Sequence, residues 1–265
     1  MAVKKQIITS LFASMLGFFI PTFHAAIGSA TIYYPSVGPV PPGITFTDIF
    51  ESSGTDPVPL YGPPTGFSVG LDFSPVTFVS STGGSGVDIT DGQLNFTLVA
   101  AANNLGYVSI NTINLFEGGD FTLVGAGTAT TQTFASAILR ASVTQINGVD
   151  VAPVSLTPVS STVGYNLTAN PGAGQLWSLG SSMNVAAQMA SLFGPNQHAT
   201  KINVAVDNQL ITIGEIATVS FIAKKEFVVF VNSSTVVVPE PSSAFIAATA
   251  FVAMGAAVRR KRVKA

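Results

Sequence analysis

The chain has 265 residues, 47% of them hydrophobic and only 9% charged, with 25 Gly, 16 Pro and no Cys. The missing cysteines exclude disulfides, thiol catalysis and Cys-based zinc sites. Between the two ends, four basic residues (Arg140, Lys201, Lys224, Lys225) stand against all 13 carboxylates, a balance of −9 that disfavours nucleic acid and anionic lipid as partners.

In chain order, residues 1–30 read as a secretory signal peptide. Lys4 and Lys5 give a positive start, and Ile7 to Ile20 is an apolar run of 14 residues. Small residues follow, so cleavage is expected near Gly28 and Ala30, with export by the Sec machinery. Residues 31–66 are rich in Pro and Gly and read as an extended arm with one or two edge strands.

Residues 67–232 read as the folded domain. Strand patterns recur at Phe67 to Phe73, Val76 to Ser80, Gln93 to Ala100, Tyr107 to Leu115 and Phe121 to Gly125. Further runs are Ile138 to Ile146, Val149 to Leu156, Lys201 to Val206, Gln209 to Ile213, Glu215 to Ala223 and Phe227 to Val231. Turns are predicted at Glu117-Gly118-Gly119-Asp120, Asn147-Gly148 and Asp207-Asn208, of which Asn-Gly is a strong two-residue hairpin signal. Ser80 to Gly86 lacks the Lys-Ser/Thr and following helix of a phosphate loop and reads as a flexible connection. Ser182 to Phe193 breaks the pattern: Val185, Met189 and Leu192 lie at helical spacing and Gly194-Pro195 ends the run. The expected fold is mainly β, an antiparallel β-sandwich or jelly roll with one short helix covering an open end. Residues 233–238 read as a linker.

The C-terminus carries the most specific signal. Pro239-Glu240-Pro241 is followed by Ser242 to Val258, 17 residues without charge, and by the basic cluster Arg259, Arg260, Lys261, Arg262. As a helix the apolar stretch spans about 25 Å, short for a permanent bilayer crossing. The basic cluster holds its end on the cytoplasmic side, leaving the body outside. The two prolines keep the tripeptide extended and accessible to a processing enzyme.

Residues 239–265 resemble the PEP-CTERM sorting domain of bacterial exported proteins. The resemblance implies recognition of Pro239-Glu240-Pro241 by exosortase, a membrane peptidase-transpeptidase, and removal of a transient transmembrane tail. It also implies a precursor anchored in the inner membrane, a mature protein at the cell surface or outside it, and a setting of exopolysaccharide and biofilm. The body itself resembles no family.

Catalytic groups are sparse. His198 is the only histidine outside the N-terminal segment and reads as a solvated loop residue. Asp48 with Glu51, Asp88 with Asp91, and Glu117 with Asp120 are carboxylate pairs of the kind that hydrolyse glycosides when they face one another. Each also fits turn chemistry. Asp48, Glu51 and Asp56, or Asp88 and Asp91, have residue types that suit calcium, but none matches an EF-hand loop and no metal ligand is assigned. No other cofactor is expected. Trp177, in a Gly-flanked loop, and Tyr33, Tyr34 and Tyr61 would stack on sugars if exposed and pack the core if not. The sequence therefore favours a non-enzymatic surface or matrix protein. Its alternatives are a carbohydrate-binding or adhesin module that contacts polysaccharide, and a secreted hydrolase.

Overall fold

The computed structural model describes residues 31–103 and 106–237. The signal peptide expected over 1–30 and the sorting segment expected over 239–265 lie outside the described residues. Among the described residues no helix is long and apolar enough to cross a membrane, and the span expected over Ser242 to Val258 lies outside them.

The strands are β1 (Thr31–Tyr34), β2 (Val37–Val40), β3 (Ile44–Ser52), β4 (Thr65–Phe67), β5 (Gly70–Phe73), β6 (Val79–Gly83), β7 (Gly86–Ala100) and β8 (Ala102–Asn103). They continue with β9 (Gly106–Gly125), β10 (Gln132–Ile146), β11 (Val149–Ser155), β12 (Val159–Asn166) and β13 (Gly172–Asn184). Helix α1 (Val185–Phe193) precedes β14 (Ala199–Gly214) and β15 (Thr218–Val237). One sheet has the order β1-β3-β7-β14-β10-β11, with β12 also on β10 and β2 on β3. The other has the order β13-β9-β15-β5-β4, with β6 also on β15 and β8 on β9. The pairings are antiparallel, and buried side chains from both sheets form a common core. Among the described residues the mainly β, antiparallel expectation with one short helix holds.

Period-2 burial explains the layering. Along β14, Ile202, Val204, Val206, Asn208, Leu210 and Thr212 are buried while their neighbours are not. Along β10, Thr133, Ala135, Ala137, Leu139, Ala141 and Val143 do the same. Alternation of this kind fixes which face enters the core, because a slip of one residue turns every side chain over.

Several boundaries differ from the sequence expectation. Glu117-Gly118-Gly119-Asp120 is not a turn: β9 runs through it, paired with β13 and β15. The glycines serve close approach instead. A Cβ on Gly119 would fall onto the Ala223 carbonyl and 2.9 Å from Trp177 Nε1, beside the irregularity that β15 carries between Lys224 and Glu226. Asp207-Asn208 is likewise continuous strand. Asp207 points outward to Arg140 and accepts from Gln93 Nε2 at 2.7 Å, so its polar atoms are satisfied across the sheet rather than by a turn. Phe67 to Phe73 is a hairpin of β4 and β5 rather than one strand. The segment 31–66 is no separate arm: β3 is an interior strand between β1 and β7, and Phe46, Ile49, Leu60 and Tyr61 are buried. The expected linker is also strand, since Ser233 to Val237 pair with Ile110 to Gly106 of β9.

Other expectations hold. Asn147 (φ 51°) and Gly148 (φ 80°) form the left-handed two-residue turn between β10 and β11. The helix begins three residues later than Ser182, because Asn184 caps it by accepting from Ala187 N at 2.9 Å. Gly194 closes it at φ 89°, donating to Ala190 O at 3.0 Å. Val185 and Met189 are buried, while Leu192 is 53% exposed.

The turn 215–217 takes the chain from β14 in one sheet to β15 in the other. Glu215 pins it: its carboxylate accepts Thr128 N at 2.6 Å, Thr131 N at 3.2 Å and Thr131 Oγ1 at 2.9 Å. Its main-chain N–H donates to Thr218 Oγ1 at 2.9 Å. These donors, the Thr128 N–H first, hold the Glu215 carboxyl below its usual range.

Two outcomes follow. Replacing Gly119 by Ala should cost about 1–3 kcal/mol of stability, read as a lower urea midpoint, because the strands cannot part without losing pairs. Glu215 contributes stability that is full above the unfolded carboxylate range and is lost as pH falls through its depressed folded pKa. At pH 7 wild type should therefore melt above Glu215→Gln, and the gap should close as the buffer is acidified. A gap of constant size from pH 7 to pH 3 would contradict this.

Candidate functional site

The carboxylate pairs flagged by sequence do not face one another as catalytic pairs. Glu51 is buried and accepts Leu60 N at 2.7 Å, Tyr61 N at 2.8 Å and the Tyr34 hydroxyl. It ties the chain after β3 to the sheet. Asp48 is exposed, in a left-handed conformation at φ 52° where the pairing of β3 with β7 shifts register. Asp91 accepts Gly54 N at 2.9 Å and Thr55 Oγ1 at 3.0 Å, organising the loop that also contains Asp56. Asp88 accepts Ser81 N at 2.7 Å with its carboxylate and Ser80 Oγ at 3.0 Å with its carbonyl, which pins Ser80 to Gly86, the passage from β6 in one sheet to β7 in the other, rather than leaving it a free connection. Asp120 pairs outward with Lys225 at 2.6 Å, while Glu117 points inward. Among the described residues, no group of three or more His, Asp and Glu side chains is gathered for a metal ion.

His198 is half-buried and engaged rather than loose. Its main-chain N–H donates to Asn147 Oδ1 at 2.9 Å, its Nδ1 lies 3.2 Å from Ser109 Oγ, and its ring lies 6.0 Å from that of Tyr107. Ser109 is buried and also bonds Asn111 Oδ1 at 2.9 Å, so the serine and histidine lock the β10–β11 turn onto β9. Trp177 is not in a loop: it lies on β13, buried, and its Nε1 donates to Ala223 O at 3.0 Å. Tyr61 is buried and Tyr34 is held by Glu51. Of the four aromatics considered for sugar stacking, only Tyr33 is widely exposed, at 73%, packed beside Phe50 with ring centroids 5.4 Å apart.

The chemically distinctive place is one the sequence reading missed. Glu117 of β9 and Lys224 of β15 meet inside the core with Nζ 2.6 Å from Oε2, both essentially inaccessible to water. Rings surround the amine: its Nζ lies 4.5 Å from the centroid of Phe78, 5.2 Å from that of Phe227 and 5.6 Å from that of Tyr61. Across the sandwich, Asn208 of β14 is 2% exposed. Its carboxamide lies near enough to Glu117 to favour the charged carboxylate, yet neither its nitrogen nor its oxygen completes a hydrogen bond. The lysine and carboxylate, though in contact, also complete no well-aligned hydrogen bond.

Burial pushes the Lys224 amine down from 10.5 to about 8, against the opposing pull of Glu117. Burial likewise raises the Glu117 carboxyl, with Lys224 and Asn208 opposing it. Both shifts favour the neutral forms, an amine beside a carboxylic acid. The sequence held one signal for this cluster: Lys224 and Glu117 sit on strands otherwise rich in Val, Ile and Phe. A charge on the buried parity of such a strand needs a partner.

No known protein-family model and no curated protein matches the chain. Solved structures give only faint likenesses. A structure of TmCBM61 in complex with β-1,4-galactotriose aligns at 10% identity and TM-score 0.23, over 62% of this chain and 70% of that one. A family 12 xyloglucanase from Bacillus licheniformis aligns at 11% identity and TM-score 0.22, over 69% and 99%. The broad bean stain virus structure aligns at 12% identity and TM-score 0.23, over 62% and 90%. Scores this low establish neither a common fold nor a common function.

Removing one member of the buried pair strands the other. With Asn208 replaced by Ala, so that only the pair is tested, Glu117→Leu or Lys224→Met alone should each lose about 3–5 kcal/mol in equilibrium unfolding. The double variant should recover much of that loss, whereas a double variant as unstable as the sum of the two singles would show that the residues do not interact.

Proposed function

We propose that the chain is an exported cell-surface or extracellular-matrix protein, sorted and processed at Pro239-Glu240-Pro241, whose β body has a non-enzymatic structural or interaction role in an exopolysaccharide matrix. The observation that carries this reading is the ordered C-terminal arrangement of tripeptide, uncharged stretch and basic cluster, on a chain that opens with an export signal. The partners in this reading are the Sec machinery and exosortase, with the membrane engaged only through the transient tail.

The local chemistry of the body agrees with a structural role. Glu51, Asp88, Asp91 and Glu215 spend their carboxylates on main-chain N–H groups of neighbouring loops and strands. Such contacts rigidify a fold that has no disulfides.

Mass spectrometry of the mature protein from an exporting host tests the reading. Wild type should begin near Thr31 and lack the segment after the Pro-Glu-Pro site. A variant with Pro239, Glu240 and Pro241 all changed to Ala should keep the tail and accumulate in the membrane fraction. Identical processing of both proteins would remove exosortase recognition from the account.

A further inference from the structure

The two strands that flank the inter-sheet turn are arranged symmetrically. Asn208 lies six residues before Gly214, the last residue of β14, and Lys224 lies six residues after Thr218, the first of β15. At about 3.3 Å per residue, both sit about 20 Å from the turn. Both are on the buried parity of their strands. The turn therefore places Asn208 and Lys224 at matching heights on strands of opposite sheets, and both side chains reach the Glu117 carboxyl, the amine at 2.6 Å.

We propose that Lys224 and Asn208 join in an intramolecular isopeptide bond between Nζ and Cγ, with Glu117 as the group that moves the proton. Uncharged Lys224 Nζ attacks the Asn208 Cγ. The proton it gives up passes through the Glu117 carboxyl to Nδ2, the Cγ–Nδ2 bond breaks, and ammonia leaves. One C–N bond forms, one C–N bond breaks, and no oxidant, reductant or co-reactant takes part.

Each requirement of this reaction is met by a separate feature. The amine must be a free base, and burial lowers its proton affinity. A carboxyl must lie within reach of the transferred proton, and Glu117 touches Nζ. Bulk water must be kept away, and Phe78, Phe227 and Tyr61 wall the amine. The carboxamide must not be held by other partners, and both its polar atoms are free of hydrogen bonds. Buried polar groups left unpaired in this way are costly unless chemistry uses them. The product would replace a buried amine and an unpaired carboxamide by one amide. It would also staple the central strand of one sheet to the central strand of the other, in a chain that cannot form a disulfide.

Trypsin provides a direct test on the full-length protein purified in soluble, folded form. Lys201 and Lys224 bracket Asn208 with no basic residue between them. Unlinked protein gives the linear peptide Ile202–Lys224. Linked protein resists cleavage after Lys224 and gives Ile202–Lys225 as a closed loop, lighter by about 17 Da, the mass of ammonia. The loop is the expected result. The linear peptide at full mass as the main species from folded wild type would overturn the proposal. So would the same mass deficit with normal cleavage after Lys224, which would mean that Asn208 had cyclised onto the main chain instead. Asn208→Ala should abolish the loop, and Glu117→Gln should slow its formation by about 100-fold. Loop formation in Glu117→Gln at the wild-type rate would overturn the role of Glu117. The wild-type digest decides the bond itself even where a variant does not fold, and it is independent of whether the C-terminus is processed.

Discussion

The turn formed by Glu215, Ile216 and Ala217 is the constraint on which the centre of the molecule depends. β14 and β15 are interior strands of opposite sheets, and the turn fixes both their distance and their phase. Because side chains alternate with a period of two, adding or removing one residue there would invert the face that one strand offers to the core. The carboxylate of Glu215, gathering donors from Thr128 and Thr131, ties this turn to the loop before β10. Asn208, Leu210 and Thr212 on one side, and Ser220, Ile222 and Lys224 on the other, then occupy the same interior.

That interior combines two environments. Around Phe46 and Phe96 the packing is apolar, with ring centroids 5.8 Å apart. Around Tyr61, Phe73, Phe78 and Phe227 the rings meet edge to face, and Tyr61, Phe78 and Phe227 surround the amine of the Glu117–Lys224 pair. An amine and a carboxyl withdrawn from water carry a large desolvation cost, which their mutual attraction offsets only with good geometry. A fold selected for stability alone would fill this space with hydrophobic side chains. This space instead holds three polar groups, on Glu117, Asn208 and Lys224, with unmet hydrogen-bonding capacity.

Carboxylates elsewhere act as local clamps. Glu51 holds the segment after β3, Asp91 the loop at 53–56, and Asp88 the passage from β6 to β7. Each accepts main-chain N–H groups that would otherwise be unsatisfied where the chain leaves a sheet. The Pro-rich segment before Phe67 is therefore integrated into the sandwich through polar contacts that its composition does not reveal.

The sequence alone determined the β character, the helix before Gly194 and its stop there, and the Asn147-Gly148 hairpin. It also held the marks at both ends on which the sorting proposal rests. These follow from local rules: period-two alternation, the conformational freedom of Asn and Gly, and the composition of contiguous stretches. The Gly118-Gly119 and Asp207-Asn208 sites defeated the same rules, because a glycine required by close strand packing looks the same in sequence as one required by a turn. Only the tertiary structure decided that these pairs lie within strands, that Trp177 is buried, and that residues 31–66 belong to the sheets. It alone brought together Glu117, Asn208 and Lys224, which are up to 107 positions apart. Their meeting depends on strand register and on the phase of one turn between two sheets, and those quantities are set by long-range packing rather than by any local segment.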